Sequence, residues 1–154
     1  GAPAPVTYNS SNSANYSEMT GYAFGDSANQ YIHTSFIVPP DYDGRGLAFA
    51  PYGATLTGGT ASQVCRWTIW LKTAFGDGDS LDVVAADSGA QRVINDTYQG
   101  AKIMHIATGN TAATTGITLT PGKLCMVQVR RNAADVADTM DTTAYFHGLR
   151  ISLQ

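Results

Sequence analysis

The clearest pattern in the chain lies near its end, where apolar and polar positions alternate over two long runs. Leu124, Met126 and Gln128 point one way while Cys125, Val127 and Val129 point the other. Tyr145, His147, Leu149, Ile151 and Leu153 alternate in the same manner with Ala144, Phe146, Gly148, Arg150 and Ser152. The strongest strand is predicted over 62–73, with Cys65, Trp67, Ile69 and Leu71 on one face and Val64, Arg66, Thr68, Trp70 and Lys72 on the other. Residues 31–38 alternate too, with Ile32, Phe36 and Val38 inward, and stop at Pro39-Pro40 because proline cannot continue a ladder. The turn DYDGRG leads back into a strand at 47–52, and Asp77-Gly78-Asp79 turns the chain into another at 81–86. Weaker strands are predicted at 92–94, 102–108 and 116–119, and 133–140 offers a helical turn or two. Many short strands with loops of these lengths predict an all-β domain, a two-sheet jelly-roll β-sandwich.

Residues 1–27 break this pattern. They are rich in Asn, Ser, Ala and Tyr with few aliphatic anchors, so a short extended N-terminal arm is predicted ahead of a sandwich domain at 28–154. Val6, Tyr8, Tyr16, Met19, Tyr22 and Phe24 are too sparse to fold alone but suited to docking in pockets of another chain. The opening GAPAPVTYNSSNSANYS lacks the charged and apolar segments of a signal peptide.

Composition supports the strands and narrows the partners. Charged residues make up 14% of the chain, below the roughly 25% of soluble proteins. A net charge of -3 argues against duplex nucleic acid or an anionic membrane surface as partner. No apolar run reaches the length of about 18 residues that a membrane-spanning helix needs.

Candidate chemistry is thin. Cys65 and Cys125 sit in predicted strands, away from any CxxC pair or His at ligand spacing, and read as buried free thiols before they read as a disulfide. Asp41, Asp43, Asp77, Asp79 and Asp82 supply oxygen ligands of the type calcium takes. Their Asp-Gly context is that of tight turns, and no metal site is predicted. Asp138 is expected to accept hydrogen bonds in the loop before the last strand or to pair with Arg130 or Arg131. His33, His105 and His147 fall on three separate strands, and no nucleophile elbow, zinc-protease, phosphate-loop or dinucleotide motif occurs. Neither catalysis nor a cofactor is expected. Trp67 shares its face with Ile69 and Leu71 and is assigned to the core, whereas Trp70, beside Arg66, Thr68 and Lys72, is the aromatic expected at a subunit interface together with Arg66 and Tyr145.

Three segments, FIVPPDYDGRGLAF, TIWLKTAFGDGDSLD and LTPGKLCMVQVRRNAADVADTMDTTAYFHGLRISL, together resemble a group of phage virion proteins. That pattern has a strand ending in P-x-D-Y-D, a Trp-containing strand leading into G-D-G-D, and a P-G-x-L strand with an R-x-x-x-D-x-x-D-T loop. A closing strand of G-V-R-I type completes it. The resemblance spans about residues 30–154 and implies a jelly-roll, commonly a homotrimer, displayed as a capsid decoration or as part of a fibre. The short arm, without a repetitive shaft, favours the stand-alone surface protein. The expectation is a non-enzymatic decoration protein on the outer capsid surface, its partners the major capsid protein and two further copies of itself. The alternative is a fibre domain that binds a host-surface glycan through exposed aromatics and loop Asp or Asn. A carbohydrate-processing enzyme would need paired carboxylates across a groove.

Overall fold

Strands with one apolar face must bury that face, and here two antiparallel sheets bury theirs against each other. The computed structural model describes residues 1–9, 18–80, 91–107, 111–112 and 119–153. The described strands are β1 (Ala4–Asn9), β2 (Glu18–Phe24), β3 (Gln30–Ile37), β4 (Leu47–Ala54), β5 (Val64–Phe75), β6 (Gln91–Thr97), β7 (His105–Ile106), β8 (Thr111–Ala112), β9 (Leu124–Arg131) and β10 (Ala144–Leu153). The front sheet runs β1-β2-β10-β4-β7, with β8 paired to β4, and the back sheet runs β3-β9-β5-β6. The first and last body strands, β2 and β10, lie side by side in front, and the next pair inward, β3 and β9, lie side by side behind. Such nesting of one long hairpin inside another is jelly-roll connectivity.

The predicted inward faces form the core. Cys65, Trp67, Ile69 and Leu71 of β5 and Cys125, Val127 and Val129 of β9 are buried against Leu47, Phe49 and Phe146 of the front sheet. Trp67 is its centre, with the Phe24 ring edge-on at 5.2 Å and Phe146 at 5.7 Å.

The last strand does not keep one face throughout. Its partners on β4 step from Phe146↔Gly53 to Gly148↔Tyr52, so His147 is an extra residue. The bulge changes the parity of every later position. Ala144 and Phe146 face inward before it, and Leu149, Ile151 and Leu153 pack on the core after it, so the single face predicted for Tyr145 through Leu153 is split. A second bulge between Leu71 and Ala74 turns Ala74 inward on β5.

The predicted arm is corrected. Residues 4–9 and 18–24 are strands of the front sheet, and the boundary at residue 27 does not separate an arm from a domain. Phe24 is fully buried in the core rather than available to another chain. Tyr22 and Phe24 share the inward face of β2, whereas Met19, of opposite parity, faces outward. β2 pairs with β10 at Tyr22, Ala23 and Phe24, and His147 Nδ1 lies 3.2 Å from the Thr20 carbonyl, so β1 and the first part of β2 form a two-stranded ribbon held at one end. The carbonyl of Gly1 also accepts from the Tyr31 amide, which ties the chain start to the free edge of β3.

Two further expectations change. Residues 133–140 form successive turns, not a helix, with Asp135 N–H donating to Asn132 O and Asp138 N–H to Asp135 O. The strand expected over 102–108 shortens to β7. The strand expected at 81–86 and most of the one at 116–119 fall outside the described residues.

Candidate functional site

The residues assigned to a single subunit interface lie on opposite sides of the molecule. Arg66 and Trp70 project from β5 on the outer face of the back sheet, while Tyr145, opposite Ala54, lies on the outer face of the front sheet. Each face has its own chemistry.

On the back sheet, the Trp70 ring is covered by Arg130 at 4.3 Å and Lys72 at 5.1 Å. Trp70 therefore serves as a bed for cations, an attraction worth about 0.5–1 kcal/mol at exposed sites. Arg130 donates through Nε to Asn132 Oδ1, and Asn132 Nδ2 donates to Thr68 Oγ1 beneath it. Arg66 lies with Nε 3.4 Å from Asp135 Oδ2. Together with Asn29 and Gln91, Arg66, Arg130, Asn132 and Asp135 line a depression of about 300 Å³. His33, 3.2 Å from Gln128, has its proton affinity lowered by burial and by the charge of Lys72.

Beneath this face, the loop after β9 is held by a buried ion pair. Arg131 donates to both carboxylate oxygens of Asp138 at 3.0 and 3.2 Å, and to the carbonyls of Phe24, Met140 and Thr142. Asp138 Oδ2 also accepts the Arg66 amide at 2.9 Å. Burial works against the charge of Arg131, and the hydrogen bonds to Asp138 overcome it, so the guanidinium holds its proton more tightly than usual. Of the two arginines proposed as partners for Asp138, Arg131 is the one.

The outer face of the front sheet is apolar. Met19, Met104 and Ile106 are exposed there at 40%, 36% and 41%, with Tyr52 and Tyr145 half-buried and Ala48, Ala50, Ala54 and Gly148 between them. Ile106 stands opposite Tyr52, and Met19, Tyr52, Met104 and Arg150 border a shallow groove of about 360 Å³. Between the sheets, where the β1–β2 ribbon leaves β10, a cleft of about 680 Å³ is lined by Val6, Tyr22, Ile32, Phe36, Leu149 and Ile151. Of the six residues assigned to the arm, Val6 and Tyr22 thus line the cleft, Met19 joins the apolar face and Phe24 is core. Tyr8 lies in β1, and Tyr16 lies outside the described residues.

The described residues do not converge on catalysis. His105, buried, places Nδ1 3.5 Å from Asp96 Oδ1, but its Nε2 accepts the Gln99 amide at 3.2 Å and so faces no nucleophile. Burial raises the Asp96 carboxyl above the usual range, against the opposing pull of His105. No sequence signal marked this pair, because it joins β6 to β7 only through the front-to-back packing. Among the described residues no group of three or more His, Cys, Asp or Glu gathers as a metal site. Asp43 is taken by Arg45 at 2.8 Å and Asp79 by Lys123 at 2.9 Å. Cys65 and Cys125 are buried free thiols, as expected. Cys125 stands opposite Ala74. Nine strand positions then separate it from Cys65, about 30 Å at the usual rise and far beyond disulfide reach. Burial pushes the Cys125 thiol up to about 11 and raises Cys65 well above its ordinary value. Among the described residues no helix is long and apolar enough to cross a membrane.

The chain matches no family model, no curated protein and no solved structure.

Proposed function

We propose that the protein is a structural component of a phage particle, a decoration protein that forms a homotrimer on the outer capsid surface and contacts the major capsid protein. The observation that carries this reading is the apolar outer face of the front sheet, where Met19, Tyr52, Met104, Ile106 and Tyr145 lie on a rigid platform of small residues. Contiguous exposed apolar surface of this type marks protein contact. A jelly-roll supplies stiff faces rather than moving parts, which suits a shell-bridging role. The β1–β2 ribbon contributes Met19 to the same face, so subunit and shell contacts are continuous. Three copies on one trimer multiply a weak contact into firm attachment.

The test has two readings. Light scattering of the purified protein at micromolar concentration is expected to report a trimer, and Ile106→Glu with Tyr52→Glu a monomer of unchanged fold. Shells lacking the protein are expected to take up the wild type and not the double variant. A wild-type monomer that fails to attach to shells would sink the proposal.

A further inference from the structure

We propose that the depression lined by Arg66, Arg130, Asn132, Asn29, Gln91 and Asp135 binds a sugar bearing one carboxylate. It lies on the back sheet, opposite the face assigned to assembly, and does not depend on the decorating role.

Arg130 is built to receive a ligand. Its guanidinium is stacked on Trp70, and its Nε is held by Asn132, whose amide is in turn fixed by Thr68. Asn132 and Thr68 are 4% and 0% exposed, an unusual burial of polar groups beneath a sheet's outer face. The net worth of such hydrogen bonds to stability is about 1 kcal/mol. What the pair secures is the orientation of the arginine above it. Arg131, next in sequence, spends its donors on five protein acceptor contacts. Among the described residues, the two terminal nitrogens of Arg130 have no such acceptor. A fixed guanidinium with its outer edge unspent matches a planar carboxylate in bidentate geometry, and its ordering cost is already met by the fold.

The charge of the site selects the ligand. Two guanidinium groups against one carboxylate, Asp135, leave one positive charge in a chain whose net charge is -3. Arg66 Nε is buried with no hydrogen-bond partner, its nearest anion being Asp135 at 3.4 Å. One negative charge balances this site, and a single carboxylate supplies it. The remaining lining suits hydroxyl groups. Asn29 Oδ1 is occupied by the Ala134 amide at 3.1 Å, which leaves its Nδ2 as a donor, Gln91 is exposed, and Asp135 accepts. A volume of about 300 Å³ admits a single sugar ring.

The test titrates the full chain with glucuronic acid and N-acetylneuraminic acid, following amide shifts by NMR, with glucose and acetate as controls. At least one acid sugar is expected to bind saturably, with perturbations around Asn29, Arg66 and Arg130. Glucose, which lacks the carboxylate, should bind at least about tenfold more weakly, the loss expected for removing one charge-assisted pair. Acetate, which lacks the ring hydroxyls, should also be at least about tenfold weaker through loss of their hydrogen bonds. Arg130→Gln and Arg130→Lys are each expected to weaken the acid sugar about tenfold, because neither presents the fork. Should the Arg130 variants fail to melt cooperatively, Arg66→Gln and Asn29→Ala give the same reading. No saturable shift with either acid sugar up to about 50 mM, well above ordinary weak sugar affinities, would overturn the proposal. Equal binding of glucose, equal binding of acetate, or full affinity in the variants would overturn it too.

Discussion

Arg130 and Arg131 are adjacent in sequence and opposite in fate, because a strand sends successive side chains to opposite faces. Arg131 enters the core, where its worth depends on Asp138, 1% exposed at the side chain. Removing one partner of a buried pair strands the other charge. Asp138→Ala is expected to destabilise the fold by about 3–5 kcal/mol in urea unfolding; a loss below about 1 kcal/mol would show that Arg131 is served by its carbonyl acceptors alone. Asp96 gives a pH-dependent prediction. Burial raises its carboxyl, with His105 opposing, so the folded chain takes up this proton at a higher pH than the unfolded chain. The linked stability therefore increases as pH falls from the raised value toward the ordinary 3.8, and is lost as pH rises through the raised value. Asp96→Asn is expected to flatten the stability profile over that interval in chemical denaturation at stepped pH. A slope unchanged in the variant would assign the titration to another group.

At the scale of elements, the closing strand shows how a single residue redirects a surface. Its alternation is legible in the sequence, but the extra residue at His147 is not, because a bulge is set by the partner strand. Without it Leu149, Ile151 and Leu153 would point to solvent. Gly21 sits at the same place, where a Cβ would lie 2.5 Å from the Phe146 carbonyl, so the ribbon can leave β10 only over a glycine. In sequence the ribbon has the character of an arm for a related reason. Its polar, small residues lack the density of a core strand, and only pairing shows that Phe24 reaches Trp67. Two truncations separate ribbon from core. Deleting residues 1–17 removes β1 and is expected to leave a cooperative melt. Deleting residues 1–24 also removes the Phe24 ring and a carbonyl acceptor of Arg131, and is expected to abolish that melt in calorimetry. A cooperative transition in the longer deletion, within a few degrees of the full chain, would return the segment to the status of an arm.

For the whole molecule, two of the turn aspartates, Asp43 and Asp79, have protein partners. Asp79 accepts from Lys123 and from the Gly76 amide at 2.6 Å, and Asp43 holds Arg45. The melting temperature is accordingly expected to stay within about 2 °C on adding chelator; a fall above about 10 °C would mean roughly 3–5 kcal/mol of linked metal binding. The trimer expected in solution belongs to this scale too, since a face as apolar as that of Met19, Tyr52 and Ile106 is covered or causes aggregation. The all-β class and the alternating faces of β5 and β9 were determined by the sequence alone, whereas the sequence favoured free thiols at Cys65 and Cys125 without excluding a disulfide. The reason is that a period of two and the placing of turn residues are local properties. Which faces become surfaces was decided only by the tertiary structure. Trp70 and Tyr145 are both aromatics on regular strands that the sequence assigns to one interface, yet they lie on opposite sides. The Arg66–Arg130 depression joins β5, β9 and the loops around Asn29 and Asp135, and such a site exists only once distant strands lie side by side.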